Sequence, residues 1–242
     1  MSPFKLAVTA VFTALVCAAT ILFSIYVPAT EGFFNIGESM VFLSALLFGP
    51  ITGAFAGGVG SMLADILLGF PHYAPATLIV KACEGAVVGI LKKRNPKLSS
   101  KLQWKFLTMI LGVIAGVLLG CIGAVYYSGE VELTLGLNVF NLHIPAEFWI
   151  FLGAVAALSI AAIGFMTDPE FGWTIFSVVV GGFCMVLGYF LYEWLLIYPL
   201  FKIEAVAVAE VPVNIGQMII GTIVALPIVK VAWRAFPYLK EK

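Results

Sequence analysis

Charged side chains are scarce in this chain of 242 residues, where Asp, Glu, Lys and Arg together make up 11%. An ordinary soluble domain carries about 25%. Hydrophobic residues account for 62%, and the mean hydropathy is +1.09. The thirteen basic and thirteen acidic side chains cancel, which excludes the strongly basic surface that nucleic-acid binding requires. This composition predicts an integral membrane protein built from helices.

Histidine and cysteine are also scarce, with two and four copies respectively. His72 and His143 are far apart, and neither has a second ligand at metal-site spacing. No two cysteines have such spacing either, and all four lie in apolar runs, as small buried thiols usually do: Cys17, Cys83, Cys121 and Cys184. We therefore expect no metal site and no cofactor.

A nucleotide-binding loop is missing as well. The glycine-rich segment 53–61 reads G-A-F-A-G-G-V-G-S, but it has no Gly-Lys-Ser/Thr and follows no strand of an α/β pattern. Any work driven by ATP would therefore need another subunit.

Long apolar runs predict eight helices. The run 6–27 has 22 residues, too long for the roughly 7–15 apolar residues of a signal peptide, so it is predicted to span the membrane. The second helix rises only about 16 Å against a hydrocarbon core of about 30 Å, so it must be covered by protein or line a cavity. The predicted helices cover about 5–27, 38–48, 50–68, 75–91, 105–127, 148–166, 173–198 and 212–235.

Basic residues predict the orientation. They cluster near the N-terminus, between the fourth and fifth helices and in the C-terminal tail: Lys5; Lys92, Lys93, Arg94, Lys97, Lys101 and Lys105; Lys230, Arg234, Lys240 and Lys242. With eight crossings these clusters fall on one side, the cytoplasm, together with both termini. The outer loops hold several glutamates but almost no basic residue except Lys202: Glu31, Glu130, Glu132, Glu147, Glu204 and Glu210.

The outer segment 131–139 alternates apolar and polar residues, which is typical of a β-strand. A lone strand cannot cross lipid. We expect a flap or hairpin outside the membrane, over the outer opening, and an irregular loop is the alternative.

Polar residues within the apolar stretch 32–89 mark a candidate site. Glu38, Asp65, Lys81 and Glu84 lie in or beside apolar runs, where each costs about 2.5–3.5 kcal/mol at the centre of a helix. They indicate a small-molecule site near the outer face. Lys81 and Glu84 share a helix face at spacing i, i+3. A salt bridge between them, or with Asp65, is the structural alternative to a cluster that faces a ligand.

Further polar residues follow in the last two helices. Glu193 lies among aromatic residues that ordinarily form an interfacial belt. Asn214 and Gln217 face the same way and either join helices or contact a ligand. The first outer loop adds side chains that suit a flat ligand: Phe33, Phe34, Asn35 and Glu38.

Small residues recur every four positions. Ala10, Ala14 and Ala18 lie on one face of the first helix, and glycines repeat this spacing in later helices. Such faces let helices approach closely in lipid. Packing within the chain is expected for most of them, whereas the alanine face could instead contact another protein.

Taken in order, these residues resemble the substrate-binding S components of energy-coupling factor (ECF) vitamin transporters. The resemblance is carried by F-N-I-G-E, L-L-F-G-P-I-x-G-A, G-G-x-G-S-x-L-A-D, Y-A-P-A-T-L-I-V-K and E-G-x-x-x-G up to residue 89. It continues in L-G-Y-F-L-Y-E-W, in A-E-V-P-V-N-I-G-Q and in the alanine face, and it covers about two-thirds of the chain.

The resemblance implies an all-α membrane bundle with a six-helix core. This chain departs from the family pattern by two inserted helices, which makes a single transmembrane domain, 1–242, with its core at 1–104 and 173–242 and an insertion at 105–172. Metal-transporting relatives carry an N-terminal histidine, whereas this chain begins Met-Ser-Pro. Metal uptake is therefore not expected.

The resemblance also implies a function. Such a subunit captures one vitamin or related compound at the outer face of the cell membrane, under a lid formed partly by the loop after the first helix. It docks through the alanine face on a transmembrane T subunit, and two cytoplasmic ATPases make it topple and release substrate inside. Riboflavin-like or pyrimidine-like ligands fit this picture. By family analogy the substrate-binding positions are Asn35, Glu38, Tyr73, Lys81, Glu84, Glu193, Asn214 and Gln217.

Two other functions stay open at this point. A stand-alone secondary carrier would use intramembrane Asp, Glu and Lys for proton coupling. A membrane-embedded enzyme would use Asp65, Glu84 and Glu193 as acid and base groups, although no nucleophile–base or metal-ligand pattern accompanies them.

Overall fold

The chain is an all-α membrane protein in a computed structural model that describes residues 2–27, 32–94, 101–126, 128–135, 138–166, 169–201 and 207–239. The described helices are α1 Pro3–Leu22, α2 Glu38–Phe48, α3 Pro50–Leu68, α4 Ala74–Lys93, α5 Lys101–Tyr126, α6 Ala146–Met166, α7 Pro169–Tyr192 and α8 Ala207–Ala235. A π-helical segment, Glu193–Phe201, extends α7. Among the described helices, seven are long and apolar enough to cross a membrane, and α2 is too short.

The chain forms two compact units. The first comprises Met1–Asn95 and Trp173–Lys242, and the second comprises Pro96–Gly172. The expected insertion at 105–172 stays a prediction, as does the cytoplasmic position of both termini. Some residues used for the orientation lie outside the described part of the chain: Glu31, Lys97, Lys202, Glu204, Lys240 and Lys242.

Helices α3 and α4 pack closely in the first unit because glycines meet at their crossing. A Cβ atom built on Gly53 would lie 2.8 Å from the Gly85 carbonyl oxygen, and one built on Gly57 would lie 2.9 Å from the Lys81 carbonyl oxygen. No side chain fits at such distances, so the small-residue spacing of these helices serves packing within the chain.

The short helix α2 is enclosed by protein. Nine of its eleven residues are buried, and Val41 forms a core cluster with Val16 of α1 and Ala56 of α3. Gly49, whose φ of 87° favours glycine, makes the tight turn into α3. A helix too short to span the bilayer is thus shielded from lipid, as the sequence predicts.

The first helix ends earlier than predicted. It stops at Leu22 rather than at about 27, and Ser24–Val27 forms a strand, β1, that pairs antiparallel with β2, Gly32–Asn35. The prediction rested on hydropathy, which does not separate a helix from an apolar strand. The β-branched and aromatic residues Ile25, Tyr26 and Val27 favour the strand once β2 is available as a partner.

The described part of the second unit contains two packed helices and a hairpin. Helices α5 and α6 meet at Gly116 and Gly153. The strands β3, Gly129–Leu135, and β4, Asn138–Ile144, pair antiparallel. A hairpin here is confirmed, but the alternating segment 131–139 contains one strand and the beginning of the next rather than a single strand. Its position over an outer opening stays a prediction.

Candidate ligand-binding pocket

A pocket in the first unit brings together side chains from β2 and five helices. The empty space between them is about 470 Å³ including its opening. The lining residues come from α1 (Thr20), β2 (Phe33, Asn35), α3 (Ser61, Asp65), the start and body of α4 (Tyr73, Thr77, Lys81), α7 (Tyr189) and α8 (Glu210, Asn214, Gln217).

Lys81 is the centre of a buried charge cluster. Its side chain is 6% exposed and forms an ion pair with Glu38. Its Nζ also lies 3.4 Å from Oε2 of Glu84, one helical turn further on. Glu38 is the first residue of α2, where the helix dipole favours a negative charge. The salt bridge between Lys81 and Glu84, one of the two possibilities that the sequence leaves open, is therefore formed. Lys81 also lines the pocket.

Three side-chain amides form a directed chain across the pocket. The Asn35 Nδ2 donates to Gln217 Oε1, and the Gln217 Nε2 donates to Asn214 Oδ1 at 3.1 Å. The backbone N–H of Gly37 donates to Asn35 Oδ1 at 2.8 Å, which orients the first amide. The last donor, Asn214 Nδ2, has no hydrogen-bond acceptor among the described residues, although Asn214 is only 2% exposed.

A second polar chain also lines the pocket. The Tyr189 hydroxyl donates to Thr77 Oγ1 at 3.0 Å, and Thr77 hydrogen-bonds to Asp65. The second carboxylate oxygen of Asp65, Oδ2, has no hydrogen-bond donor among the described residues, and Asp65 is 4% exposed. Buried polar atoms ordinarily have partners, so these orphaned atoms are candidate contacts for a ligand.

Tyr73 connects the loop before α4 to the end of α7. Its hydroxyl donates to Glu193 Oε1 at 3.1 Å, and its ring packs with those of His72 and Tyr192. Burial, followed by the negative charges of Glu193 and Glu210, raises the pKa of the Tyr73 phenol well above its ordinary value. Tyr73 therefore stays a neutral hydrogen-bond donor.

The structure separates the eight predicted substrate residues into two groups. Five line the pocket: Asn35, Tyr73, Lys81, Asn214 and Gln217. Glu38, Glu84 and Glu193 are buried behind them and hold Lys81 and Tyr73 in position. Substrate contact by any of the eight stays a prediction.

Sequence reasoning missed other lining residues. Thr20, Ser61 and Thr77 carry no signal in the sequence, because a single hydroxyl within an apolar helix is common. Tyr189 is one of the aromatic residues near Glu193 for which the sequence predicts an interfacial belt, but it faces the pocket. The sequence predicts an outer loop for Glu210, but α8 begins at Ala207 and includes this residue, whose side chain is buried.

The alanine face of α1 points away from the rest of the first unit. Ala10, Ala14 and Ala18 are all exposed, whereas Thr9, Val16 and Thr20 on the opposite face are buried. The described residues contain no group of three or more His, Cys, Asp or Glu placed to hold a metal ion.

Comparison with known proteins identifies the family. The model of the family described as "ECF-type riboflavin transporter, S component" matches residues 1–164, which leaves α7 and α8 outside the match. An uncharacterized protein from Pyrococcus woesei is 41% identical over 131 residues, 51% of this chain and 88% of that protein. The thiamine precursor transporter HmpT from Lactococcus lactis subsp. cremoris is 26% identical over 141 residues, 57% of this chain and 78% of that protein.

These matches and the seven membrane-length helices agree on one class of protein. The chain is a multi-pass membrane protein that serves as the substrate-binding subunit of a vitamin-type transporter, and it is not an enzyme. It belongs to the ECF-type riboflavin transporter S component family.

Proposed function

We propose that the pocket of the first unit binds a flat, nitrogen-containing vitamin or vitamin precursor, riboflavin-like or pyrimidine-like. The observation that carries this proposal is the pair of orphaned polar atoms in the pocket, Asn214 Nδ2 and Asp65 Oδ2. A heterocycle with a ring nitrogen next to an amino or N–H group offers an acceptor to the amide and a donor to the carboxylate.

Aromatic side chains support the same class of ligand. Phe33, Tyr73 and Tyr189 line the pocket with the polar groups. A site with apolar rings and a few placed polar atoms is typical of small-molecule recognition. The riboflavin of the family description and the thiamine precursor of the Lactococcus lactis relative both suit such a pocket.

The first experiment is native mass spectrometry of the purified chain, followed by titration calorimetry with riboflavin, thiamine and aminopyrimidine precursors. We expect one compound bound one-to-one and released unchanged. Asn214→Ala removes the orphaned donor and should weaken binding about 10- to 100-fold, as the loss of a buried hydrogen bond does.

Thr222→Ala is the matched control for this variant. Thr222 lies two turns further along α8 and donates to the Met218 carbonyl of its own helix. It does not line the pocket. Unchanged affinity in a folded Asn214→Ala variant would contradict the site assignment.

We further propose that the chain releases its ligand inside only when coupled to a transmembrane T subunit and two cytoplasmic ATPases. The exposed alanine face of α1 supports this, because small side chains allow close contact with another membrane helix. Vesicles that hold this chain alone should bind the ligand without accumulating it. Accumulation without an ATPase would instead establish a stand-alone carrier.

A further inference from the structure

The chain of amides in the pocket runs in one direction, and a backbone group sets that direction. The Gly37 N–H can only donate, so the atom of the Asn35 amide that lies 2.8 Å from it must be the oxygen, Oδ1. The Asn35 nitrogen is then the donor to Gln217, which turns its own nitrogen toward Asn214. Asn214 therefore accepts with Oδ1, and its Nδ2 is the end of the chain.

The first link of this chain is tightly packed. Gly37 has no room for a side chain, because a Cβ atom built on it would overlap the Thr20 hydroxyl oxygen and lie 2.9 Å from Asn35 Oδ1. Asn35 and Gly37 are two positions apart, the spacing at which asparagine side chains ordinarily bond to their own backbone. The local backbone therefore determines the orientation of the Asn35 amide.

The three amides are buried, which makes their orientation costly to reverse. Asn35, Gln217 and Asn214 are 9%, 4% and 2% exposed. If the Asn214 amide turned over, its nitrogen would face the Gln217 nitrogen, and two donors would meet with little access to water. Asn214 lines the pocket, and its Nδ2 has no acceptor among the described residues. A ligand atom that contacts this amide would therefore meet a donor.

We propose that Asn35 and Gln217 are positioning residues that fix the polarity of Asn214, so that the pocket selects a ligand with an acceptor atom at this point. The acceptor is a ring nitrogen or a carbonyl oxygen. The same ring with a C–H or N–H group there is rejected, because the Asn214 donor stays unpaired or meets a second donor. Asn35 and Gln217 thus act on the ligand through Asn214. This inference rests on the proposed function and deepens it.

The first test finds the ligand atom that the full-length chain requires. Calorimetry in nanodiscs compares riboflavin with its 1-deaza, 5-deaza, 2-thio and 4-thio analogues. It also compares thiamine and its aminopyrimidine precursor with analogues in which C–H replaces one pyrimidine nitrogen. Each analogue removes or weakens one acceptor, and we expect one such change to weaken binding at least about tenfold. In Asn214→Ala the same change should alter affinity less than about threefold, because the donor is gone.

The second test asks whether Gln217 acts through Asn214. Gln217→Met keeps the side-chain length but removes the amide that holds Asn214 Oδ1. It should weaken binding of the parent compound about five- to tenfold and reduce discrimination against the sensitive analogue to less than about threefold, because the Asn214 amide is free to turn over. In the Asn214→Ala background it should weaken binding less than about twofold, since its effect needs Asn214.

A second variant tests the first link of the chain. Asn35→Ser keeps an oxygen that accepts from the Gly37 N–H, as serine does in turns, but its side chain is too short to reach Gln217. We expect the same reduced discrimination. Gln103→Met is the matched control, because it makes the same substitution at an exposed glutamine of α5. Thermal unfolding confirms that each variant is folded.

Each outcome decides for or against the inference. Reduced discrimination in Gln217→Met or Asn35→Ser, with the Gln217 effect lost in the Asn214→Ala background, supports it. If Gln217→Met weakens binding equally in both backgrounds, Gln217 contacts the ligand directly and the inference is overturned. Unchanged discrimination in both variants also overturns it. In these two cases a compound is bound and the proposed function stands. If none of the parent compounds binds, the proposed function itself fails.

Discussion

At the scale of single residues, Lys81 supplies the positive charge between two buried carboxylates, Glu38 and Glu84. Its removal would leave Glu38 and Glu84, at 1% and 0% exposure, without a counter-charge. Breaking a buried ion pair in this way is far more costly than replacing every member by neutral groups, because the remaining charge keeps its desolvation penalty.

We predict that Lys81→Met lowers the free energy of unfolding by about 3–5 kcal/mol. The triple variant Glu38→Gln/Lys81→Met/Glu84→Gln should recover most of this loss. Thermal unfolding in detergent measures both. Lys93→Met, which removes an exposed lysine from the end of α4, should have little effect. An unchanged midpoint for Lys81→Met would mean that Glu38 and Glu84 are not ionised.

At the scale of elements, α1 has two faces with different roles. Thr9, Val16 and Thr20 pack against the rest of the first unit, and Thr9 forms a 3.2 Å hydrogen bond with Thr52 of α3. The alanine face is exposed. A bulky residue on the exposed face leaves the inner packing untouched but prevents a close helix contact.

We predict that Ala14→Trp keeps ligand affinity but lowers ATP-dependent uptake at least about tenfold in vesicles that contain the whole transporter, because a helix interface loses its close approach. Calorimetry and uptake of labelled ligand are the two measurements. Ala162→Trp, at an exposed alanine of α6, is the matched control. Full uptake by the Ala14→Trp variant would mean that the T subunit docks on a surface other than the alanine face of α1.

At the scale of the whole molecule, the two units divide the chain unequally. Among the described residues, those that line the pocket all belong to the first unit. Sites without shared contacts contribute independently to binding. The described part of the second unit therefore supplies no side chain to this pocket.

We predict that replacing residues 96–172 by a short Gly/Ser linker leaves ligand affinity within about threefold of the full chain, since the pocket loses none of its described lining residues. The measurement is calorimetry in nanodiscs after the variant's fold has been checked by thermal unfolding. Asn214→Ala in the full chain shows that the assay responds. Loss of binding by a folded deletion variant would contradict the prediction.

The sequence alone predicted that the chain is a helical membrane protein, where its helices lie, and many of the polar residues of the candidate site. Hydropathy and helix length determine these features, and both depend on residues close together in the chain. Four charged residues indicated the candidate site, because charged groups within apolar runs are costly in lipid: Glu38, Asp65, Lys81 and Glu84. The turn Phe48-Gly49-Pro50 likewise separated α2 from α3 at the predicted position.

Only the tertiary structure decided which polar residues face the pocket. Lys81 and Glu84 share a helix face, yet one lines the cavity and the other is buried behind it. The amide chain depends on Asn35 and Gln217, which are 182 positions apart. The end of α1 depends on pairing between β1 and β2. These features arise from contacts between distant parts of the chain, which local periodicity does not encode.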